Sequence, residues 1–288
     1  MRLHVNGITL NIEVAGAGRP LLLLHGFMGS TATWTPHVSL LAPHRRTIAV
    51  DLIGHDRSEA PADPDRYRME RGVGDLLAVL DVQDVEHADV LGYSMGGRVA
   101  LHLAVAAPER VRSLVLESAS PGLADPTERQ ARIVADEALA EAIERDGMEA
   151  FVDRWERLPL FVSQAALPVE VRARLRRQRL ENDPVGLANS LRGMGVGRQE
   201  PLWDRLATLR IPTLLLVGEL DQKYCELSRR MAAAMPAARL VVVPGTGHAV
   251  HLEQPDAFQQ VILEFLLGDG DEGSGIDGQL PSFPSPNP

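Results

Sequence analysis

The chain has 288 residues, of which 45% are hydrophobic and 24% charged, a composition typical of a folded protein with a sizeable core. Its net charge of −10 argues against a surface for nucleic acid or anionic membrane, because both require a broad basic face. Cys225 is the only cysteine, which excludes an intrachain disulfide and a multi-thiolate metal or iron–sulfur site. The first residues lack the apolar stretch of a signal peptide and no run is long enough to span a bilayer, so we expect a cytoplasmic protein.

The first predicted elements form an antiparallel hairpin at one edge of a sheet. Residues 3–5 and 9–14 alternate apolar and polar side chains around Asn6-Gly7, the dipeptide that most favours a two-residue turn. A continuous apolar run follows at residues 21–24, as expected of a strand that is buried on both faces. The same pattern predicts further buried strands at residues 47–50, 88–91, 113–116, 213–217 and 240–243.

Helical segments separate the predicted strands. Residues 73–80, 95–107 and 258–267 carry apolar side chains at helical spacing. Strands that alternate with helices require crossover connections. The sequence therefore predicts an α/β fold with a mostly parallel sheet and helices on both faces.

The alternation of strands and helices is interrupted between residues 125 and 202. Amphipathic helical patterns such as 128–143 and 170–180 follow one another there without a strand between them. The last twenty residues are rich in Gly, Pro, Ser and acidic side chains and have little to bury. The predicted organisation is therefore an α/β core at residues 1–124 and 203–268, an inserted helical cap at residues 125–202 and a disordered tail at residues 269–288.

The motif Gly92-Tyr93-Ser94-Met95-Gly96 lies between a predicted strand and a predicted helix. Such a sharp turn crowds Cβ atoms and therefore needs glycines, and it leaves the Ser94 hydroxyl above the sheet at a helix N-terminus. A serine is a poor nucleophile or base until a histidine takes its proton, and that histidine needs an acid to fix its tautomer. The motif therefore predicts a catalytic triad that contains Ser94.

The acid and the histidine are expected after later strands, in the order serine, acid, histidine. The penultimate predicted strand is followed by Glu219 and Asp221, and the last by His248. We predict Asp221 rather than Glu219, because Asp221 lies further out on its loop. His251 is expected on the following turn, as a packed or surface histidine.

Two backbone amides are predicted to stabilise a developing oxyanion. One is the N–H of Met95, directly after the serine, and the other is the N–H of Phe27, in the glycine-containing loop after the first parallel strand. His25, in the same loop, is expected to fix the loop rather than carry a proton. The alternating glycines around residue 195 lack the spacing of a phosphate-binding loop, and no metal-ligand cluster is indicated, so neither a nucleotide nor a metal is expected.

These motifs resemble those of the α/β-hydrolase superfamily over the whole chain except the predicted tail. One departure is Asp56, which stands where the superfamily usually has a glycine after the histidine of this loop. A narrower resemblance, to the 2-succinyl-6-hydroxy-2,4-cyclohexadiene-1-carboxylate (SHCHC) synthases of menaquinone biosynthesis, rests on motifs of the predicted cap. The motifs are at residues 128–132, 155–161 and 182–195.

The narrower resemblance implies a lyase. The family eliminates pyruvate from 2-succinyl-5-enolpyruvoyl-6-hydroxy-3-cyclohexene-1-carboxylate, beginning with removal of a proton near the succinyl ketone. His248, oriented by Asp221, would make Ser94 the base, and the amides of Phe27 and Met95 would hold the enolate oxygen. The implied partner is a small tricarboxylate, and no cofactor is implied.

The three carboxylates of that substrate imply fixed cations, for which the planar guanidinium fork is well suited. Matched motif to motif, the family's carboxylate-binding residues fall on Arg98, Arg132 and Arg179, and its pocket wall on Tyr93 and Trp155. For Arg179, which lies in an arginine-rich helical run, a solvated surface position is the open alternative. Arg192 lies in the best-matching motif, and its alternative role is to orient the cap.

Two other functions stay open at this point. One is a capped serine esterase or carbon–carbon-bond hydrolase, in which Ser94 is the nucleophile and the pocket is apolar. The other is a non-catalytic receptor on the same fold. The complete set of triad residues argues against the receptor, because a binding module needs no proton relay. The esterase is harder to exclude, since the same triad serves both chemistries.

Overall fold

A computed structural model of the protein describes residues 1–268, so the predicted tail at residues 269–288 lies outside the described residues. The centre of the fold is one eight-stranded sheet with the strand order β1-β2-β4-β3-β5-β6-β7-β8. All neighbouring pairs from β4 through β8 in this order are parallel, which confirms the predicted α/β class. The strands are β1 (Arg2–Val5), β2 (Ile8–Ala15), β3 (Pro20–Leu24), β4 (Arg46–Val50), β5 (Ala88–Tyr93), β6 (Val111–Glu117), β7 (Thr213–Gly218) and β8 (Ala238–Val243).

The antiparallel edge forms as the sequence predicts. Val5 pairs with Ile8 across the turn, and Asn6 and Gly7 both have positive φ, of 47° and 80°. This is the backbone that a two-residue hairpin needs, and asparagine and glycine adopt it at low cost. Strand β2 then runs antiparallel to β4 and joins the hairpin to the parallel sheet.

Both faces of the parallel sheet are covered by helices. Leu22 and Leu24 of β3 belong to one buried cluster, and Leu21 and Leu23 to another on the opposite face. Successive side chains of a strand alternate between faces, so a strand buried on both sides reads as an unbroken apolar run. The helices of the core are α1 (Thr35–Leu41), α2 (Met69–Val82), α3 (Met95–Ala106), α7 (Gln222–Ala234), α8 (Val250–Glu253) and α9 (Pro255–Gly268).

Three α-helices lie between β6 and β7. Asp125 caps the first, accepting hydrogen bonds from the amides of Thr127 and Glu128, and Asp183 caps the third. Their apolar faces meet in a third cluster that includes Ile143, Phe151 and Leu187 of the helices and Met28 of the core. The helices are α4 (Pro126–Trp155, interrupted at Gly147), α5 (Val169–Leu180) and α6 (Pro184–Met194). The predicted division into core and cap, at residues 125–202, remains a prediction.

The sequence analysis missed α1 and α7. Helix α7 buries only Cys225, Ser228 and Met231. The helix is polar overall, so its few apolar side chains did not stand out in the sequence, although they lie on one face. Among the helices of residues 1–268, none is both long and apolar enough to cross a bilayer.

Candidate active site

Ser94 lies on the sharp turn between β5 and α3. Its backbone is strained, with φ 51° and ψ −107°, and its amide donates to the carbonyl of Glu117 at 2.8 Å. A Cβ at Gly92 would meet the backbone of Gly96, and a Cβ at Gly96 would meet the carbonyl of Leu24. The turn therefore excludes any other residue at these two positions, and it holds the serine above the sheet.

The structure brings Ser94, His248 and Asp221 together. His248 Nε2 lies 3.0 Å from Ser94 Oγ, and His248 Nδ1 lies 2.6 Å from Asp221 Oδ2. The side chains of His248 and Asp221 are 1% and 4% exposed, so water does not compete for this pair. With the Nδ1 proton donated to Asp221, Nε2 is free to accept the serine proton. Glu219, the competing acid, instead accepts a hydrogen bond from the amide of Gly245.

The two predicted oxyanion amides follow β3 and β5, whose carboxyl ends are adjacent in the sheet. Met95 is the first residue of α3, so its N–H has no partner within the helix. Within residues 1–268 no hydrogen bond engages this amide or that of Phe27. Both remain available to an anionic oxygen.

His25 fixes the loop that carries Phe27. Its Nε2 accepts from the amide of Leu52 at 3.0 Å, and Nδ1 lies 2.8 Å from the carbonyl of Gly26, so Nδ1 carries the proton. Burial lowers the pKa of His25 to about 4, because removal from water disfavours the imidazolium. A neutral histidine with both nitrogens engaged has a structural role here.

A cavity of about 1270 Å³ lies above Ser94. Trp155 forms part of its wall, in ring contact with Phe27 and Phe161 at centroid distances of 5.2 and 5.4 Å. The cavity includes every residue that the sequence analysis proposed for substrate binding, namely Tyr93, Arg98, Arg132, Trp155 and Arg179.

Arg98 lies on α3, four residues after Ser94. Its Nη1 donates to the carbonyl of Met194 at 2.7 Å and to Gln199 Oε1 at 2.5 Å. Burial lowers the pKa of Arg98 to about 10, because the charged guanidinium loses its hydration. Within the described chain its Nε and Nη2 have no hydrogen-bond partner, so this guanidinium keeps donors for a ligand.

Arg132 and Arg179 differ in how many of their guanidinium donors already bind other residues of the protein. Arg132 donates Nε to Asp136 at 2.7 Å, and neither of its terminal nitrogens is engaged within residues 1–268. Arg179 donates one terminal nitrogen to Glu156 at 3.0 Å and the other to Gln164 at 2.9 Å. Its side chain is only 8% exposed, so the alternative of a solvated surface position is wrong.

Arg192 does not line the cavity. It bridges α6 to α4 through Glu137 at 2.9 Å and Glu144 at 2.6 Å. This contact corresponds to the alternative role of orienting the helices between β6 and β7.

Many residues of the cavity lining were not proposed by the sequence analysis, among them Tyr224, Phe161 and Lys223. The ring of Tyr224 lies 4.7 Å from that of His248, and the ring of Phe161 lies 6.0 Å from it. Lys223, the only lysine of the chain, also lines the cavity. Lys223 and Tyr224 belong to the first turn of α7, a helix that the sequence pattern did not predict. The only available signal was the isolated lysine in a chain that otherwise uses arginine.

Asp56, the departure from the superfamily pattern, adopts a positive φ of 45°. Aspartate tolerates this conformation better than most residues other than glycine, and the Asp56 amide donates to Asn182 Oδ1 at 3.2 Å. The loop thus keeps a glycine-like backbone with a different residue. No group of three or more His, Cys, Asp or Glu within the described chain could hold a metal ion.

Residues 19–255 match the family described as the α/β hydrolase fold. The chain belongs to this family. Within it, the chain is 44% identical to a Bacillus subtilis (strain 168) protein provisionally named 2-succinyl-6-hydroxy-2,4-cyclohexadiene-1-carboxylate synthase, over 88% of this chain and 92% of that protein. A Serratia proteamaculans (strain 568) protein of the same name is 31% identical over 90% and 98% of the two chains. The solved structure of MenH from S. aureus is similar at 35% identity and a TM-score of 0.86, covering 90% of this chain and 98% of that one.

Proposed function

We propose that the protein is a lyase of menaquinone biosynthesis that eliminates pyruvate from 2-succinyl-5-enolpyruvoyl-6-hydroxy-3-cyclohexene-1-carboxylate to give SHCHC. The proposal rests on one observation: Ser94, the serine of a Ser–His–Asp arrangement, lines the same cavity as three guanidinium groups. A tricarboxylate uses fixed cations, whereas a neutral ester needs none. The relatives named SHCHC synthase support the same reaction.

In this reaction His248 Nε2 accepts the hydroxyl proton of Ser94, and Ser94 Oγ removes the proton from the carbon beside the succinyl ketone. The Nδ1–H of His248 stays hydrogen-bonded to Asp221, which stabilises the imidazolium. The electron pair of the broken C–H bond is held as an enolate and then forms a double bond to the neighbouring ring carbon. The existing ring double bond shifts by one position and the C–O bond to the enolpyruvoyl group breaks. The departing enolate takes up the proton held by the relay and becomes pyruvate.

The remaining residues stabilise charge. The amides of Phe27 and Met95 donate to the enolate oxygen, where charge develops in the transition state. Arg98 and Arg132 offer carboxylates the donors that the protein leaves unengaged, and Arg179 is shared with Glu156. Tyr93 and Trp155 complete the wall around the substrate.

The test is pyruvate release from the enolpyruvoyl substrate, followed in the wild type and in Ser94→Ala, His248→Ala and the double variant. We expect each single variant to lose several orders of magnitude in rate, and the double variant to be little worse, because both residues form one relay. The fold should be retained, as checked by circular dichroism. An elimination rate in Ser94→Ala within about tenfold of the wild type would contradict the mechanism.

A capped serine esterase or carbon–carbon-bond hydrolase is the second candidate. The 3.0 Å contact between Ser94 and His248 equally suits nucleophilic attack, and the rings of Phe27, Trp155 and Phe161 offer an apolar acyl site. Turnover of a neutral aryl ester, measured beside pyruvate release, distinguishes the two functions. A rapid ester reaction without pyruvate release would favour the hydrolase.

A further inference from the structure

A second carboxylate–histidine pair lies beside the proposed triad and takes no part in the reaction described above. Glu117 is the last residue of β6, and its side chain is fully buried. Its Oε1 accepts hydrogen bonds from the backbone amide of His251 at 3.0 Å and from its ring Nδ1 at 2.9 Å. Oε2 lies 3.0 Å from the same ring nitrogen. The carboxylate therefore holds His251 through both its backbone and its ring.

Glu117 also holds the turn that carries Ser94. Its backbone carbonyl accepts the amide of Ser94 at 2.8 Å. His251, three residues after His248, lies in helix α8, which follows the histidine loop. One residue thus connects the loop of Ser94, through its main chain, to the loop of His248, through its carboxylate.

Tyr93 fills the space between these two connections. Its ring centroid lies 4.6 Å from that of His251 and 5.5 Å from that of His248. Burial, and then the nearby Glu117 carboxylate, raise the pKa of Tyr93 well above its ordinary value, so this cavity-wall residue stays neutral. The His251 ring also contacts Trp34, at a centroid distance of 5.4 Å. The His251 ring is enclosed and has little freedom to move.

We propose that Glu117 and His251 are positioning residues that set the distance between Ser94 and His248 and hold Tyr93 against the cavity. The inference rests on the relay assigned to Ser94 and His248 in the proposed function, but not on the identity of the substrate. Proton transfer between two side chains depends steeply on their separation, and a displacement of about 1 Å can cost about 100-fold in rate. Glu117 connects the loops that carry Ser94 and His248, so it can set the separation of these two side chains.

The experiment measures the rate constant for phosphonylation of Ser94 by a fluorophosphonate probe. In this reaction Ser94 Oγ bonds to phosphorus, fluoride leaves, and the hydroxyl proton passes to His248, so the rate reports on the relay without the natural substrate. We expect Glu117→Gln and His251→Leu to lower the rate constant by about 10- to 100-fold. His251→Asn places an amide donor near the position of Nδ1 and should recover most of the loss.

Asp75→Asn is the matched control. Asp75 is also a buried carboxylate, and it pairs with Arg66 at 2.7 Å, but it does not line the cavity. It should lower the melting temperature as Glu117→Gln does and leave the phosphonylation rate unchanged. This comparison separates positioning from general loss of stability.

Two results would overturn the inference. One is a phosphonylation rate in folded His251→Leu within about twofold of the wild type, and the other is an equal fall in His251→Leu and His251→Asn. The His251 variants decide the matter even where Glu117→Gln fails to fold. If phosphonylation responds as expected but the wild type releases no pyruvate, the positioning role stands and the proposed substrate is wrong.

Discussion

At the scale of single residues, the arginines of the cavity differ in how much hydrogen-bonding capacity they keep for a ligand. Arg132 keeps both terminal nitrogens and Arg98 keeps Nε and Nη2, whereas both terminal nitrogens of Arg179 already bind Glu156 and Gln164. A guanidinium whose terminal nitrogens already donate to other residues has fewer donors left for a substrate carboxylate. We therefore expect Arg98 and Arg132 to carry more of the substrate recognition than Arg179.

This difference leads to a prediction about substrate charge. Arg98→Ala and Arg132→Ala should each lower kcat/KM for the tricarboxylate by about 1.5 to 3 kcal/mol, or about one to two orders of magnitude. Lysine at either site should recover only part of the loss, because a point charge does not reproduce the guanidinium fork. Turnover of a neutral ester should hardly change.

Arg192→Ala is the control for this series. Arg192 lies outside the cavity and pairs with Glu137 and Glu144, so its loss should affect stability rather than substrate preference. If the cavity variants lose ester and tricarboxylate turnover in equal proportion while folded, these arginines are structural and the proposed lyase pocket is wrong.

At the scale of elements, helix α6 is placed by a close backbone contact with the core. A Cβ at Gly186, in its first turn, would meet the carbonyl oxygen of Gly54 and would lie 2.7 Å from the Gly54 Cα. Backbone cannot yield as a flexible side chain can. The same helix carries Ser190 and Leu191, which line the cavity, so its position shapes the site.

We predict that Gly186→Ala lowers the free energy of unfolding by about 1 to 3 kcal/mol, because the methyl group overpacks this contact. Gly74→Ala is the matched control, since Gly74 lies within helix α2 and its Cβ would meet only the Asn6 amide at 4.0 Å. That variant should gain up to about 1 kcal/mol from helix propensity. Urea titration measures both, and equal effects would show that the contact with Gly54 is not tight.

At the scale of the whole molecule, the core contains several histidines that are held neutral. Burial lowers the pKa values of His25 and His102 to about 4, and those of His37 and His55 to about 3. For His102 the charge of Arg98 adds to the effect. Below the ordinary pKa of 6.5 the unfolded chain binds protons that the folded protein does not. These histidines therefore do not lower the free energy of unfolding above about pH 6.5. They lower it progressively as the pH falls from there toward their pKa values in the folded protein.

The resulting prediction concerns acid stability. Each such histidine should cost about 2 kcal/mol of unfolding free energy between about pH 7 and about pH 5. His102→Gln, at a site where Nε2 has no partner among the described residues, should reduce the total drop by about that amount. His4→Gln, at an exposed site, should leave the drop unchanged. Urea titrations at the two pH values measure this, and an identical drop in His102→Gln and the wild type would contradict it.

The parallel sheet, its hairpin edge and the turn that carries Ser94 could be predicted from the sequence, because these features depend on local rules. Unbroken apolar runs mark strands buried on both faces, Asn6-Gly7 supplies positive φ, and the glycines around Ser94 permit a turn that excludes Cβ atoms. The order of Ser94, Asp221 and His248, after β5, β7 and β8, was predictable from the same local patterns. Parallel strands bring their carboxyl ends to one edge of the sheet.

Which charged and polar side chains contact one another depended on how distant segments pack. The pairing of Arg179 with Glu156, the bridge from Arg192 to α4, and the contact of Glu117 with His251 join residues 23, 48 and 134 positions apart. No local pattern encodes such partners, since they depend on how helices and strands pack. Lys223 and Tyr224 were likewise not proposed for the site, because only the packing of α7 places them at the cavity. Sequence patterns indicate burial and backbone geometry, whereas the pairing of charged and polar side chains that are distant in sequence depends on the folded structure.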